Sequence, residues 1–274
     1  MNFCLEANSY KAKTFCSIFV PPFVLKSIFY YDIMQTVRIM QILLQLQPDR
    51  PLCLPFNYQY QLQSAIYAKL AEIDASDFWH DVGFGGARKF KAFTFGSIKG
   101  RYKVSENKII FEGGVSLEIR SPVFAFCDDL QRAIELCPRI KLFDTVFTVT
   151  NASVSNLHIN RFSAGFRTET PVLIYKNSEW GKTRYFAPDE EEFYIGICNN
   201  FERKYEAVFN VPAEHIQIRP AGSFKKVVTR YKETWLTAYH GAFEVKALPK
   251  SLEFLYNTGM GSKNPQGFGF IKLL

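Results

Sequence analysis

The chain is short of the side chains that build metal sites and covalent frameworks. It has six cysteines in 274 residues, at Cys4, Cys16, Cys53, Cys127, Cys137 and Cys198, and no C-x-x-C pair. The four histidines, His80, His158, His215 and His240, are equally dispersed. Zinc ligands come in tight pairs, so no structural metal is expected, and no cofactor. Scattered thiols without a framework fit reduced, buried cysteines and a cytoplasmic location. A long apolar run is also missing. Thr14 to Tyr31 is apolar, but Pro21, Pro22 and Lys26 interrupt it, and a spanning helix needs about 20 predominantly apolar residues. Lys11 and Lys13 precede that stretch, yet no small-residue cleavage site follows, which argues against a secretory signal. No stable membrane association is expected. Acidic residues are outnumbered, 26 against 33 basic ones, for a net charge of +7. With 27 Phe and 14 Tyr, this balance suggests a polyanion partner, because Lys and Arg neutralise phosphates and rings stack on bases. Charge alone is equally compatible with a basic protein that has no such partner.

Residues 1–39 read as an extension, poorly ordered or upstream of the true start. From Met40 the pattern becomes regular. Met40 to Gln47 alternates as a strand does. Asn57 is a candidate cap for a helix through Ile73, in which Tyr58, Leu62, Ala65, Ile66, Leu70 and Ile73 make one apolar stripe. Tyr67 falls far from the centre of that stripe, so core burial accounts for it poorly. Ser76 is a possible cap before Asp77-Phe-Trp-His80-Asp. Gly83-Phe-Gly85-Gly86 then breaks the chain. Arg88 to Phe95 reads as a strand, Tyr102 to Ile119 as a hairpin, Ser121-Pro122 to Pro138 as a helix, and Ile140 to Thr150 as a strand. The order β-α-β-β-α-β is the ferredoxin-like arrangement. The second half repeats it without evident sequence repetition. Leu157 to Phe166 is a strand, and a helix starts at Pro188 with Phe193, Ile197, Phe201, Tyr205 and Phe209 four apart. Strands follow over Ile216 to Ile218 and Lys225 to Val245, then a helix from Leu248 to Tyr256 and a strand from Phe268. The fold class expected is α+β, with two tandem ferredoxin-like (RRM-like) domains, residues 40–152 and 153–274.

The end of the chain carries four glycines, Gly259, Gly261, Gly267 and Gly269, around Lys263. Glycine permits positive φ and close backbone approach, and successive N–H groups in such a loop can cup a phosphate. The ordinary alternative is a turn before a last strand.

Five stretches together resemble a known family. They are Leu54-Pro-Phe-Asn-Tyr-Gln-Tyr-Gln-Leu-Gln-Ser-Ala-Ile-Tyr67, Asp77-Phe-Trp-His80-Asp, Arg88-Lys-Phe-Lys-Ala-Phe-Thr94, Asn199-Asn-Phe-Glu-Arg-Lys-Tyr-Glu-Ala207 and the glycine-rich end. In this order they resemble the sixth Cas family, the CRISPR-associated endoribonucleases of the repeat-associated mysterious protein (RAMP) superfamily. The resemblance covers about Met40 to Leu274. It implies two ferredoxin-like domains and cleavage of precursor CRISPR RNA within its repeats, without metal, leaving a 2′,3′-cyclic phosphate and a 5′-hydroxyl. It also implies a Tyr–His–Lys catalytic set at Tyr67, His80 and Lys91.

The chemistry suits these side chains. RNA supplies its own nucleophile, the 2′-hydroxyl. A histidine can move a proton at neutral pH, a lysine can stabilise charge on the phosphorane, and a tyrosine can hydrogen-bond the 2′-hydroxyl or the leaving oxygen. Without the family, an isolated His after Phe78-Trp79 is more often a surface or satisfied core residue. Lys89 and Lys91 remain alternatives: either could be catalytic while the other contacts backbone phosphate. Further RNA contacts are expected from Arg88, Lys89, Lys225, Lys226 and Arg230, and from Gly259, Gly261, Lys263, Gly267 and Gly269. The partner is the repeat of the precursor RNA, with effector-complex subunits a further candidate. A non-catalytic RNA-binding subunit is the alternative function.

Overall fold

The computed structural model describes residues 40–86, 89–177 and 182–274. The readings for residues 1–39, and the expected contact at Arg88, lie outside the described residues. The fold is α+β, built of antiparallel sheets with helices packed on them. No helix among the described residues is long and apolar enough to cross a membrane.

The first sheet centres on β1 (Met40–Pro48), whose alternation sends Ile42, Leu44 and Leu46 into the core. On one side β1 pairs with β5 (Lys108–Ser121), and on the other with β7 (Thr145–Ser155). Beyond β5 lie β2 (Leu52–Pro55), β3 (Thr94–Phe95) and β4 (Lys99–Ser105). Beyond β7 lies β6 (Arg139–Leu142). Helix α1 (Gln59–Ala71) buries Leu62, Ala65, Ile66 and Leu70, the stripe seen in the sequence. Asn57 does not cap it. The N-cap is Tyr58, with no side-chain cap bond, and the Tyr58 hydroxyl accepts the Ile98 N–H at 3.1 Å instead. Helix α2 (Phe124–Leu136) follows Ser121, whose hydroxyl accepts the Val123 N–H at 3.0 Å.

Two expectations for this half need correction. The strand expected over Arg88 to Phe95 shrinks to Thr94–Phe95. Phe90 makes only an isolated bridge to Phe84 and Phe93 packs by its ring against Tyr67 and Phe95, so the ladder with β5 begins only at Thr94. The single strand expected over Ile140 to Thr150 is a hairpin of β6 and β7, turning at Phe143 with φ +54°.

The second sheet has the order β11–β14–β8–β15. Its strands are β8 (Ser163–Thr168), β11 (Gln217–Pro220), β14 (Ala242–Lys246) and β15 (Ile271–Leu273). Helix α3 (Glu191–Phe209) buries Phe193, Ile197 and Phe201 on one face. Helix α4 (Pro249–Thr258) is buried almost throughout. The strands expected over Lys225 to Val245 are three: β12 (Lys225–Tyr231) and β13 (Thr234–His240) form a separate two-stranded hairpin before β14. A small hairpin of β9 (Tyr175–Asn177) and β10 (Thr183–Tyr185) was not foreseen.

Arg120 joins the two sheets. Its guanidinium is fully buried, 3.6 Å from the Tyr256 ring centre and 3.9 Å from that of Phe270. It donates to the carbonyls of Tyr256 and Ile271 and to the Glu118 carboxylate. Glu118 also pairs with Lys272. A buried cation is tolerated only when paired and hydrogen-bonded, and here strand β5 supplies the charge while α4 and β15 supply most of its partners.

Candidate active site

Three elements bring the candidate catalytic side chains together. The first is α1, which carries Tyr67 on the flank of its apolar stripe. The Tyr67 ring is half-buried, edge-on to Phe93 at 5.6 Å and to His80 at 4.7 Å. Burial, reinforced by Tyr231 nearby, raises its phenol well above the usual tyrosine range, so at neutral pH it remains a protonated hydrogen-bond donor.

The second element is a π-helical turn, Phe78–Val82. Wide turns of this kind are frequent at functional sites. Trp79 points inward, donating its indole N–H to Asp129 at 2.8 Å and packing edge-on against Phe126. That anchor leaves the neighbouring His80 and Asp81 facing out, with side chains 60% and 69% exposed. His80 Nδ1 lies 2.5 Å from an Asp81 carboxylate oxygen.

The third element is the return segment. Gly83, at φ +57°, closes the turn by donating its N–H to Phe78. Phe84 and Phe90 then pair through two backbone hydrogen bonds of 2.8 and 2.7 Å. A Cβ on Gly83 would stand 2.6 Å from the Phe90 carbonyl and 3.2 Å from Lys91 Nζ. The lysine therefore folds back over the turn, near Asp81. Burial lowers the Lys91 pKa, Asp81 partly offsets this, and Lys89 adds to the lowering.

Lys89 and Lys91 thus separate. Two residues apart in a strand, both would face the same way. Outside a strand, Lys89 is exposed and donates to the Gly85 carbonyl at 2.9 Å, whereas Lys91 is half-buried against Gly83.

The β12–β13 hairpin supplies residues that sequence reasoning missed. Its tip reaches α1. The Tyr231 hydroxyl donates to Gln63, which also hydrogen-bonds the Tyr67 phenol. Tyr231 stands edge-on to Tyr60 at 5.7 Å, and Lys232 lies 4.4 Å above the Tyr60 ring. Lys225 and Lys226 are exposed on the same hairpin, and Arg230 pairs with Glu233. Asp81, Gln63 and Tyr231 carry no local sequence signal beyond Asp81's place beside His80.

The glycine-rich end differs from the expected cradle of free N–H groups. All four glycines have positive φ, as does Lys263. However, the N–H groups of Gly259, Gly267 and Gly269 are donated to the carbonyls of Leu255, Asn264 and Pro171. The segment is packed inward. A Cβ on Gly269 would lie 1.9 Å from the Met260 carbonyl, and one on Gly267 would lie 2.8 Å from Phe95. Buried Lys204 of α3 ties the segment down through the Gly259 carbonyl at 2.6 Å and Asn264 at 3.0 Å. The glycines are needed there for close packing. Lys263 remains partly exposed, 5.4 Å from the Tyr175 ring.

Comparison with known proteins places these features in context. Residues 155–273 match the family model described as CRISPR associated protein Cas6, C-terminal. The chain is 27% identical over 238 residues to a Methanocaldococcus jannaschii protein named CRISPR-associated endoribonuclease Cas6 1, covering 85% of this chain and 92% of that protein. It is 24% identical over 243 residues to the CRISPR-associated endoribonuclease Cas6 of Pyrococcus furiosus, covering 85% and 90%. A solved structure named CRISPR associated protein Cas6 superimposes with a TM-score of 0.73 at 27% identity, covering 86% of this chain and 99% of that one.

Proposed function

We propose, because this chain belongs to the Cas6 family of CRISPR-associated proteins, that it is an endoribonuclease that cuts precursor CRISPR RNA within its repeats. The observation that carries the mechanism is the convergence of Tyr67, His80 and Lys91 from three separate segments onto one rim of the molecule. His80 takes the proton of the 2′-hydroxyl. The 2′-oxygen bonds to phosphorus and the bond from phosphorus to the 5′-oxygen breaks, giving a 2′,3′-cyclic phosphate and a 5′-hydroxyl. Lys91 balances the charge on the phosphorane. Its pKa, lowered mainly by burial, also suits it to give the leaving oxygen a proton. Tyr67, held protonated, donates a hydrogen bond to the reacting group. The substrate brings the nucleophile, so these steps need no metal.

The two sheets are read as ferredoxin-like units meeting near residue 152. The orders β7–β1–β5–β3 and β15–β8–β14–β11 support this, since each places the unit's first strand between its fourth and third. RNA runs from the active rim along Lys89 to the hairpin cations Lys225, Lys226 and Arg230, with Lys263 at the glycine-rich segment. Phosphate contacts of this kind give affinity that falls with salt. Scattered thiols fit a cytoplasmic enzyme.

The test uses end-labelled repeat RNA in excess EDTA, with wild type beside His80→Ala. One discrete cut bearing a cyclic-phosphate end, lost in the variant, is the expected result. Tight binding with no cut by either protein would favour a non-catalytic RNA-binding subunit.

A further inference from the structure

Asp81 is unassigned in the mechanism above, yet it contacts His80 and lies within electrostatic reach of Lys91 and Tyr67. Its carboxylate is 2.5 Å from His80 Nδ1, and it acts electrostatically on both Lys91 and Tyr67. The groups placed against the His80 ring are Asp81 from its own turn and Tyr67 from α1, while Lys91 of the return segment, with Lys89 nearby, acts on the Asp81 carboxylate.

A carboxylate can only accept a hydrogen bond, so the imidazole nitrogen facing it must carry the proton. In a neutral ring the other nitrogen then holds the lone pair. This tautomer follows from the partner's chemistry. An imidazole without a partner populates both tautomers and turns freely. Here the Tyr67 edge on one side and Asp81 at Nδ1 fix the ring plane.

We propose that Asp81 is a positioning residue for the cleavage reaction: it holds His80 in the Nδ1–H tautomer, so that the bare Nε2 meets the 2′-hydroxyl. This rests on the catalytic reading of His80. When Nε2 takes the hydroxyl proton, the ring becomes a cation with both nitrogens protonated, and the carboxylate already at Nδ1 stabilises it. The 2′-oxygen–phosphorus bond forms, the bond to the 5′-oxygen breaks, and Lys91 supplies the proton that the leaving oxygen needs. The dyad works in solvent, because both side chains are mostly exposed. Its effect is therefore smaller than that of a buried catalytic aspartate.

The experiment compares wild type, Asp81→Asn, Asp81→Glu and His80→Ala in single-turnover cleavage of repeat RNA across acid to neutral pH. In parallel, long-range nitrogen–proton NMR reads the His80 tautomer in the free protein. Asp81→Asn is expected to slow cleavage about 10- to 100-fold, below the effect of a buried triad aspartate. The NMR signal should shift toward the Nε2–H form, and Asp81→Glu should restore part of the rate. An Asp81→Asn enzyme with wild-type rate, profile and tautomer overturns the proposal. So does a slow variant with an unchanged tautomer, because that marks a merely structural residue. If His80→Ala cuts at the wild-type rate, the catalytic reading itself fails, while the NMR arm still decides whether Asp81 sets the tautomer.

Discussion

The His80 ring meets Tyr67 edge-on, with centroids 4.7 Å apart and planes at 86°. Such a contact orients the imidazole without competing for its nitrogens, and edge-to-face pairs contribute roughly 0.5–1.5 kcal/mol. On the proposed mechanism Tyr67 has two separable roles, a ring that steers His80 and a hydroxyl that donates to the RNA. Tyr67→Phe keeps the first and removes the second. It is expected to slow cleavage about tenfold with RNA affinity and melting temperature unchanged. His80→Ala is expected to slow it roughly 10²–10⁴-fold, again with binding intact. Rates and filter-binding constants measured on the same preparations check both.

Lys89 and Lys91 should behave differently on substitution. Lys91→Ala removes the half-buried ammonium beside the turn and is expected to lower the cleavage rate about 10²–10³-fold. Lys89→Ala removes an exposed cation. It is expected to weaken binding across all sequences and flatten the salt dependence by about one phosphate contact. If the two lysines exchange these phenotypes, the catalytic assignment moves to Lys89.

Two glycines separate stability from activity. Gly269→Ala forces a methyl group to 1.9 Å from the Met260 carbonyl, in a backbone conformation with φ +68°. A steep fall in melting temperature is expected, because buried backbone cannot give way cheaply. Gly83→Ala meets the Phe90 carbonyl at 2.6 Å, where the bridge that carries Lys91 begins. Cleavage should fall more than stability there, which thermal melts beside rate measurements would reveal.

Glu118 makes stability fall in acid. Burial alone would raise its pKa, but Arg120 and Lys272 more than compensate and hold it below the usual carboxylate range. A depressed carboxylate contributes stability that is present above its unfolded pKa and lost as pH falls through the folded one. Melting temperature should therefore drop on the acid side of the ordinary glutamate range. Glu118→Gln leaves the Arg120 cation without its counter-charge, at a cost of as much as about 3 kcal/mol at neutral pH. The variant should also show a shallower acid dependence.

The periodic elements were readable in advance. The alternation of β1, the stripe of α1 and the four-residue spacing along α3 each reflect one buried face, and that information is local. The proposed trio of Tyr67, His80 and Lys91 was suggested only by family motifs, since no local pattern distinguishes His80 from a surface histidine. What escaped is tertiary. Tyr231 and Gln63 are 168 residues apart in the chain, and neither residue type marks a site. The strand expected over Arg88 to Phe95 fails before Thr94, where Phe90 and Phe93 are fixed by the Phe84 bridge, Tyr67 and Phe126. The glycines at the end announced their positive φ correctly. Where their N–H groups point depended on Pro171, Leu255 and Asn264, partners the sequence does not disclose.

The burial of Arg120 also sets an order for biogenesis. The ribosome makes this arginine long before Tyr256, Phe270 and Ile271, the residues that enclose it. Until those residues leave the exit tunnel, the nascent chain holds a cation on an uncovered face of the first sheet. The half that carries Tyr67, His80 and Lys91 is then translated but unable to close. Chaperone occupancy during synthesis should therefore persist until the final strand emerges, and rare codons ahead of Tyr256 would lengthen that exposure more than rare codons elsewhere.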